Sequence, residues 1–201
     1  MTLDNGSYTS WGATTPSVMM MPISSLYKVP NIRYVAKCVY TNNTYSQAMR
    51  GYGNPQATFA IDSQIDTLAE MAGIDPFDFR MRNANLPGEV TPQNFKINTC
   101  GLRECIDVVA EKLDWRQNRG RRDGRGIGMA SMIHVGGGAR VYKSDGCGTI
   151  IKIDDFGTVN VITGATDMGQ GADTVIAQIT AEELGVRVED VVVTHTDTDI
   201  C

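Results

Sequence analysis

Apolar residues recur at intervals of three and four positions through much of the first half of the chain. This spacing lies on one face of an α-helix and predicts a helix over 54–73, with Gly73 at its C-cap. An Asp-Pro pair opens the next segment, 75–83, and suits the N-cap and first position of a second helix. A third helix is predicted over 102–113, after a loop at 86–98 that contains two prolines. The first half is therefore predicted to be mainly helical.

Alternating and β-branched apolar runs predict strands, most of them in the second half of the chain. The predicted strands span residues 31–41, 126–135, 148–153, 158–163 and 191–195. The turn Asp154–Gly157 joins two of these strands as a hairpin. A helix is predicted over 172–184 and ends at Gly185, which completes a strand-helix-strand unit.

This order of elements predicts an α+β fold in two sub-domains. We place the first sub-domain at 1–119 and the second at 120–201, with a hinge near residue 120. The chain stops six residues after its last predicted strand, with no closing helix. We therefore expect both sub-domains to be parts of a longer protein.

The composition is that of a globular chain with a small negative charge. Its 201 residues are 42% hydrophobic and 20% charged, and the formal net charge is -5. No apolar run approaches the roughly 18 residues that cross a bilayer, and the polar N-terminus lacks a secretory signal. The acidic balance and the lack of a recognition motif disfavour nucleic acid. We expect a cytoplasmic protein with neither a membrane nor a nucleic-acid partner.

The cysteine positions favour reduced thiols over a disulfide framework. Neither the cysteines nor the histidines form a pattern that predicts a metal centre. The cysteines are odd in number and form no Cys-x-x-Cys pair: Cys38, Cys100, Cys105, Cys147 and Cys201. Cys100 and Cys105 flank a predicted helix start, but the sequence offers no two further ligands nearby. The two histidines, His134 and His195, are interpreted as core or strand residues. The sequence therefore predicts no direct metal ligand.

A glycine-rich segment, Gly164–Asp173, lies between a predicted strand and a predicted helix. Glycines on both sides of Gln170 let the backbone approach a ligand, and the amides that open the helix could bind an anion. The segment lacks the lysine and hydroxyl residue of a P-loop and the third glycine of a dinucleotide fingerprint. A turn without any ligand is the alternative at this point.

A second segment, Ala48–Gln56, places Arg50 and Tyr52 around two glycines before a predicted helix. The planar guanidinium of Arg50 could pair with a phosphate or an oxyanion. A solvated arginine in an ordinary turn is an equally good reading of the local sequence.

Five segments, taken together and in order, carry a family resemblance. They are Pro30-Asn31-Ile32-Arg33, AMRGYGNPQ (48–56), DFRMRNAN (78–85), GLRECIDVV (101–109) and TDMGQGADTVIAQITAEELGV (166–186). In this order they resemble the molybdenum-binding subunit of the xanthine dehydrogenase and aldehyde oxidase family. The resemblance covers nearly the whole chain.

The resemblance implies roles for specific residues. It implies that Arg50 and Gly51 line the molybdenum centre and that Arg50 and Tyr52 contact the substrate. It implies that the molybdopterin cofactor is held by Met168, Gly169, Gln170 and Gly171. The catalytic glutamate of the family has no match among these residues, so no catalytic residue is expected here, and the chain alone is expected to be inactive and without cofactor.

Departures from the family pattern narrow the implied substrate. Val18 stands where purine-oxidising members carry an arginine, and His134–Ala139 lacks the aromatic residue with which they hold the ring. A purine is therefore disfavoured, and the chain is most similar to the 4-hydroxybenzoyl-CoA reductase branch, which implies an aromatic acyl-CoA substrate. The residue after Arg50 is not cysteine, which disfavours the carbon monoxide dehydrogenase branch.

The resemblance also implies a cofactor and partners. The cofactor would be molybdenum-molybdopterin in its cytosine dinucleotide form, in a hydroxylase or reductase that assembles with the rest of the molybdenum subunit and with iron-sulfur and flavin subunits. The alternative function is a structural or anion-binding module without a metal. Five arginines between Trp115 and Arg125 are interpreted as a solvated linker, or as a contact for a partner subunit or the phosphates of a CoA tail.

Overall fold

The chain folds into two compact units, Met1–Gly136 and Gly137–Cys201. The structure is a computed structural model that describes residues 1–121, 123–134, 146–195, 197 and 199. The first unit is mainly helical, and the second combines a small sheet with one long helix. This mixed content confirms the predicted α+β class, and the boundary at residue 120 stays a prediction.

The first unit contains a two-stranded parallel sheet and six helices. Its elements are β1 (Thr2–Gly6), α1 (Thr15–Met20), α2 (Pro22–Ser25), β2 (Lys37–Tyr40), α3 (Asn54–Met71), α4 (Pro76–Asn83), α5 (Leu102–Lys112) and α6 (Trp115–Asn118), in the part of the unit that the structure describes. A 3-10 helix at Trp11–Thr14 leads into α1. The predicted cap of α4 is confirmed, because a carboxylate oxygen of Asp75 accepts the amide of Phe77 at 2.8 Å.

A buried ion pair joins α3 to α4. Arg80 on α4 has no exposed side-chain surface, and its Nη2 lies 2.7 Å from Oδ1 of Asp62 on α3. Its Nη1 donates to Asp66 at 2.6 Å. Burial lowers the pKa of Arg80, but the hydrogen bonds to Asp66 and Asp62 outweigh burial and raise it. The guanidinium therefore stays charged inside the helical unit.

The second unit is a three-stranded sheet in the order β3-β4-β5 that packs against one helix. Its elements are β3 (Thr149–Ile153), β4 (Val159–Thr163), α7 (Ala172–Leu184) and β5 (Val191–His195). Strands β3 and β4 form the predicted antiparallel hairpin, and β5 runs parallel to β4 after the α7 crossover. Val159 and Val161 point from β4 onto Ala177 and Ala181 of α7, which form the core.

The predicted strand at 126–135 is wrong for residues 126–134, which form no strand, and residue 135 lies outside the described residues. Met129 from this segment instead packs with Ile106, Ala110 and Trp115. Its side chain is therefore buried against helices α5 and α6. The strand predicted at 31–41 is also shorter, because only Lys37–Tyr40 find a pairing partner. That partner is β1. The sequence analysis does not predict this strand, because residues 2–6 are mostly polar.

No helix in the described part of the chain combines the length and the apolar character that a bilayer crossing needs.

Candidate functional site

The predicted Arg50–Gly53 segment forms a tight turn directly before α3. Gly51, Tyr52 and Gly53 have φ angles of 99°, 48° and 90°, all in the left-handed half of conformational space. The amide of Asn54 closes the turn on the carbonyl oxygen of Gly51 at 3.0 Å. Positive φ values cost little at glycine, so Gly51 and Gly53 suit this turn, whereas Tyr52 adopts the left-handed region at a steric cost.

Both glycines of the turn are also required for close packing. A Cβ atom on Gly51 would lie 2.6 Å from Cγ of Pro55. A Cβ atom on Gly53 would lie 2.6 Å from Cγ of Met19 and 2.9 Å from Cγ2 of Thr15. The turn therefore rests on α1 without room for a side chain at either position.

The side chains of the turn face different environments. The Tyr52 hydroxyl forms a hydrogen bond with Oγ1 of Thr14, and its ring meets Trp11 edge-on at a centroid distance of 6.5 Å. These contacts hold the Tyr52 ring against Trp11 and Thr14. The Arg50 side chain is exposed to solvent. The turn thus places Arg50, Gly51 and Tyr52 directly before α3, and their role in a site stays a prediction.

A histidine that the sequence analysis assigned to a core or strand position lies beside this turn. Nδ1 of His134 is 3.2 Å from Nδ2 of Asn54, and the same Nδ2 donates to the Gly51 carbonyl at 2.8 Å. Asn54 is fully buried, whereas His134 is exposed. The core interpretation of His134 is therefore wrong. The 80 residues between the two side chains explain why no local sequence signal reveals the contact.

The predicted cofactor segment in the second unit is a loop that leads into α7. Oε1 of Gln170 accepts the amide of Met168 at 2.9 Å, and Nε2 donates to the Thr166 carbonyl at 2.8 Å. Gly169 and Gly171 have φ angles of 104° and 80°. Met168, Gly169 and Gln170 are exposed, so the structure brings the predicted cofactor residues together on an accessible loop.

Backbone amides at the start of α7, which were predicted to bind an anion, donate hydrogen bonds to the side chain of Asp167 instead. The Asp167 carboxylate accepts the amide of Gly169 at 2.7 Å, and more weakly those of Gly171 at 3.4 Å and Asp173 at 3.3 Å. The Gly169 amide is the largest contribution that lowers the pKa of Asp167. A phosphate at this helix start would meet a carboxylate of like charge, so this conformation does not bind one there.

Replacing Asp167 with asparagine is expected to destabilise the chain near neutral pH. A carboxyl group with a lowered folded-state pKa stabilises the fold above its unfolded pKa, and this stabilisation is lost as the pH falls through the folded-state pKa. The deficit of D167N in urea unfolding should therefore be present at pH 7 and disappear as the pH falls through the lowered folded-state pKa of Asp167.

Asp155, an exposed carboxylate in the β3–β4 turn, provides the matched control. D155N removes the same single charge outside the loop, and should not reproduce the pH-dependent deficit. A deficit of D167N that persists unchanged at low pH would contradict a role for the ionised carboxylate.

The basic linker is largely neutralised within the chain. Arg116 forms two hydrogen bonds with Asp78, at 2.7 and 3.0 Å, and lies over the Phe77 ring. Arg119 pairs with Asp75, and Arg121 with Asp123. Arg125 is exposed, and Arg122 lies outside the described residues. The pairing supports a structural role for this linker over a phosphate-binding patch.

No group of three or more His, Cys, Asp or Glu side chains could hold a metal ion in the part of the chain that the structure describes. Cys38, Cys100, Cys105 and Cys147 are free thiols. Cys201 and the side chain of His195 lie outside the description.

Two family profiles match the chain, over residues 1–84 and 103–201, and both are described as a molybdopterin cofactor-binding domain. The xanthine dehydrogenase molybdenum-binding subunit of Escherichia coli O157:H7 is 37% identical over 205 residues, which covers 98% of this chain and 27% of that protein. The second profile includes the Met168–Gly171 loop, and the first includes the Arg50–Gly53 turn.

Two solved structures have the same fold. Quinoline 2-oxidoreductase from Pseudomonas putida 86 matches with a TM-score of 0.77 and 26% identity, over 96% of this chain and 27% of that chain. Aldehyde oxidoreductase from Desulfovibrio gigas matches with a TM-score of 0.71 and 28% identity, over 96% and 22% respectively. The chain thus spans about a quarter of the length of these proteins.

Proposed function

Because this chain belongs to the molybdopterin cofactor-binding domain family, we propose that it supplies part of the cofactor and substrate pocket of a molybdenum-containing oxidoreductase. Similarity to a xanthine dehydrogenase subunit and to an aldehyde oxidoreductase supports this activity class. Since the chain spans about a quarter of the length of these proteins, we propose that other segments or chains of such an enzyme supply the rest of the pocket.

The loop before α7 is the observation that carries the proposal. Gln170 presents an exposed amide with both a donor and an acceptor, which suits the edge of a polar heterocycle such as a pterin. A Cβ atom on Gly171 would meet no atom within 4 Å, so the backbone there is open to the close approach of a ligand. We propose that Met168, Gly169, Gln170 and Gly171 contact the pterin.

The same loop fits the uncharged ring of the cofactor better than its phosphates. Asp167 already occupies the amides at the start of α7, and its charge opposes a second anion. We propose that the phosphates of the cytosine dinucleotide form lie away from this helix start. To bind the pterin, the Gln170 amide exchanges its bonds to Thr166 and Met168 for bonds to the ring.

We propose that the turn before α3 faces the reacting centre. The exposed guanidinium of Arg50 suits an oxo group or an anionic substrate, and the Gly51 backbone allows close approach. The Tyr52 hydroxyl is engaged by Thr14, so Tyr52 presents its ring rather than its hydroxyl to a substrate. When bound, the molybdenum cofactor supplies two-electron redox chemistry, and these residues bind and orient the substrate.

The substrate class and the partners extend the proposal. We propose an aromatic acyl thioester, such as 4-hydroxybenzoyl-CoA, because motif similarity favours that branch and Val18 is buried in α1, 7% exposed, where it cannot recognise a purine. We further propose a cytoplasmic hetero-oligomer with iron-sulfur and flavin subunits, which accept or supply the electrons. The division into sub-domains at residue 120 belongs to the same proposal.

Gln170→Ala is expected to lower the molybdenum and pterin content of the enzyme that carries this chain about tenfold. The variant removes two hydrogen bonds, each worth about 0.5–1.5 kcal/mol. The measurement is metal analysis and pterin fluorescence after expression in a host that makes the cofactor, under limiting cofactor supply.

Gln178→Ala is the matched control, because Gln178 is an exposed glutamine on α7 outside the loop. Its cofactor content should equal that of the unmodified enzyme. Unchanged content in Q170A would reject the assignment of the loop to the pterin and leave a structural module as the better description.

A further inference from the structure

Two of the free cysteines flank the start of helix α5. Gly101 is the N-cap of α5, so Cys100 is the residue before the cap and Cys105 is the fourth residue of the helix. The amide of Cys105 donates to the Gly101 carbonyl oxygen at 3.0 Å, which closes the first turn of the helix. Side chains at these two positions commonly pack against each other across a helix start. The local geometry therefore favours a close approach of the two thiols.

Both cysteines line the same open cavity, of about 460 Å³, in the first unit. Most of the wall is apolar, and its other polar side chains are the hydroxyls of Ser25, Thr99 and Ser131. The described lining contains no carboxylate, imidazole or amine. Since a thiol is a much better nucleophile than a hydroxyl near neutral pH, Cys100 and Cys105 are the reactive groups of this cavity.

The two thiols differ in their access to solvent. Cys105 is exposed, whereas Cys100 is half-buried. The backbone between them is uncrowded, because the nearest described atom to a Cβ on Gly101 would be Oε2 of Glu104, at 3.9 Å. A glycine with free space around it allows the chain to adjust at the cap. An exposed thiol can thus react first and a sheltered neighbour second.

We infer that Cys100 and Cys105 form a reversible modification site, which closes to an internal disulfide by exchange with a small disulfide such as oxidised glutathione. The Cys105 thiolate attacks one sulfur of the reagent, forms a mixed disulfide and releases one glutathione thiolate. The Cys100 thiolate then attacks the Cys105 sulfur, forms the internal bond and releases the second glutathione. Two electrons pass from the cysteines to the reagent, and the two cysteine protons end on the released glutathione thiols.

The internal disulfide ties the loop before α5 to the first turn of this helix. In a reducing compartment the pair stays open, and a rise in oxidised glutathione closes it. None of the residues proposed to contact the cofactor or the substrate is among those that line the cavity. The inference is therefore independent of the proposed function, and either can fail without the other.

Trypsin separates the two cysteines, which makes the bond directly measurable. Cleavage after Lys96, Arg103 and Lys112 leaves one cysteine in peptide 97–103 and the other in peptide 104–112. The purified enzyme that carries this chain is treated with oxidised glutathione, its remaining thiols are alkylated, and it is digested without reductant. Mass spectrometry should find the two peptides linked, about tenfold in excess over their glutathione adducts, because a neighbouring thiol has the higher effective concentration.

Two further readouts define the bond. Dithiothreitol, added before alkylation, should return both peptides to the free-thiol form. Electrophoresis without reductant should leave the subunit at its ordinary position, which shows that the link lies within one chain. A link found only in cross-linked dimers would overturn the inference.

Serine variants separate the two steps. C100S should stop at a glutathione adduct on Cys105, and in C105S the half-buried Cys100 should form its adduct more slowly. Cys38, an exposed thiol and the one cysteine of β2, is the internal reference and should carry an adduct in all three proteins. A lasting glutathione adduct on Cys105 of the unmodified enzyme, or two unreacted thiols at α5, would each overturn the inference.

Discussion

Replacing Arg80 with methionine is expected to lower the free energy of unfolding of the chain by about 3–5 kcal/mol, because it leaves a buried carboxylate without its partner. Arg80 donates to Asp62 through Nε at 3.1 Å and through Nη2 at 2.7 Å. Methionine fills much of the same volume, so the lost charge dominates the effect. Urea unfolding followed by circular dichroism measures the change.

The Asp62 carboxylate explains why the effect is large. Its Oδ1 also accepts the Tyr27 hydroxyl at 3.3 Å and the Ser131 amide at 3.4 Å, so one oxygen joins three parts of the first unit to α4. Burial is the main cause of the raised pKa of Tyr27. Among the described residues Arg80 is the ion-pair partner of Asp62, so R80M leaves this buried carboxylate without that partner.

Arg116→Met is the control, since Arg116 forms an ion pair with Asp78 at 2.7 Å but is 61% exposed. Solvent screens exposed ion pairs, so the control should lose far less stability than R80M. The double variant R80M/D62N should recover part of the loss, because it removes the uncompensated charge. Equal losses in R80M and R116M would contradict the role of burial.

Gly53→Ala is expected to destabilise the chain by about 2–4 kcal/mol and to disturb the proposed site at the same time. The backbone at Gly53 has a φ of 90°, which strains any residue with a Cβ atom. The added methyl group would also lie 2.9 Å from Cγ2 of Thr15 and 3.1 Å from its carbonyl oxygen. In the enzyme that carries this chain, cofactor content should fall with the displaced turn.

Gly73→Ala separates backbone strain from crowding. Gly73 follows α3 with a φ of 65°, but a Cβ atom there would meet nothing within 4 Å. The substitution should cost about 1 kcal/mol and leave the cofactor in place. If G53A cost no more than G73A in unfolding measurements, close packing of the turn on α1 would be ruled out as its cause.

Helix signals in the sequence proved accurate because they are local. The N-cap of α4 at Asp75 and the C-cap of α7 at Gly185 depend only on residues close to them in the sequence. Helix α7 begins and ends where its pattern predicts. The hairpin from β3 to β4 is equally local, with its short turn at Asp154–Gly157. These elements need no knowledge of the rest of the chain.

Strand assignments in the first unit failed where pairing depends on distant partners. Residues 126–134 carry a strand-like apolar pattern but contact helices instead, through Met129 and through the Ser131 amide on Asp62. β1 lacks a strand pattern altogether, yet it pairs with β2 because the chain brings Leu3 beside Cys38. Tertiary contacts override local propensity in both cases.

The candidate site was predictable where glycines mark it and unpredictable where side chains converge. The turn at Gly51 and the loop at Gln170 are visible as glycine-rich breaks before helices. Two features depend on three-dimensional geometry. The Asp167 carboxylate accepts amides at the start of α7, and Asn54 contacts His134. Only the structure relates Asp167, Asn54 and His134 to the site.

The outer strand of the second unit has a consequence for handling this chain in solution. In the described sheet β3 bonds only to β4, and Ile150, Ile151 and Ile153 are each about half exposed. The strand reads Thr-Ile-Ile-Lys-Ile, so a single lysine interrupts a run of high β propensity. Such an edge is a template for strand addition by another copy, and Lys152 acts as the gatekeeper against cross-β aggregation.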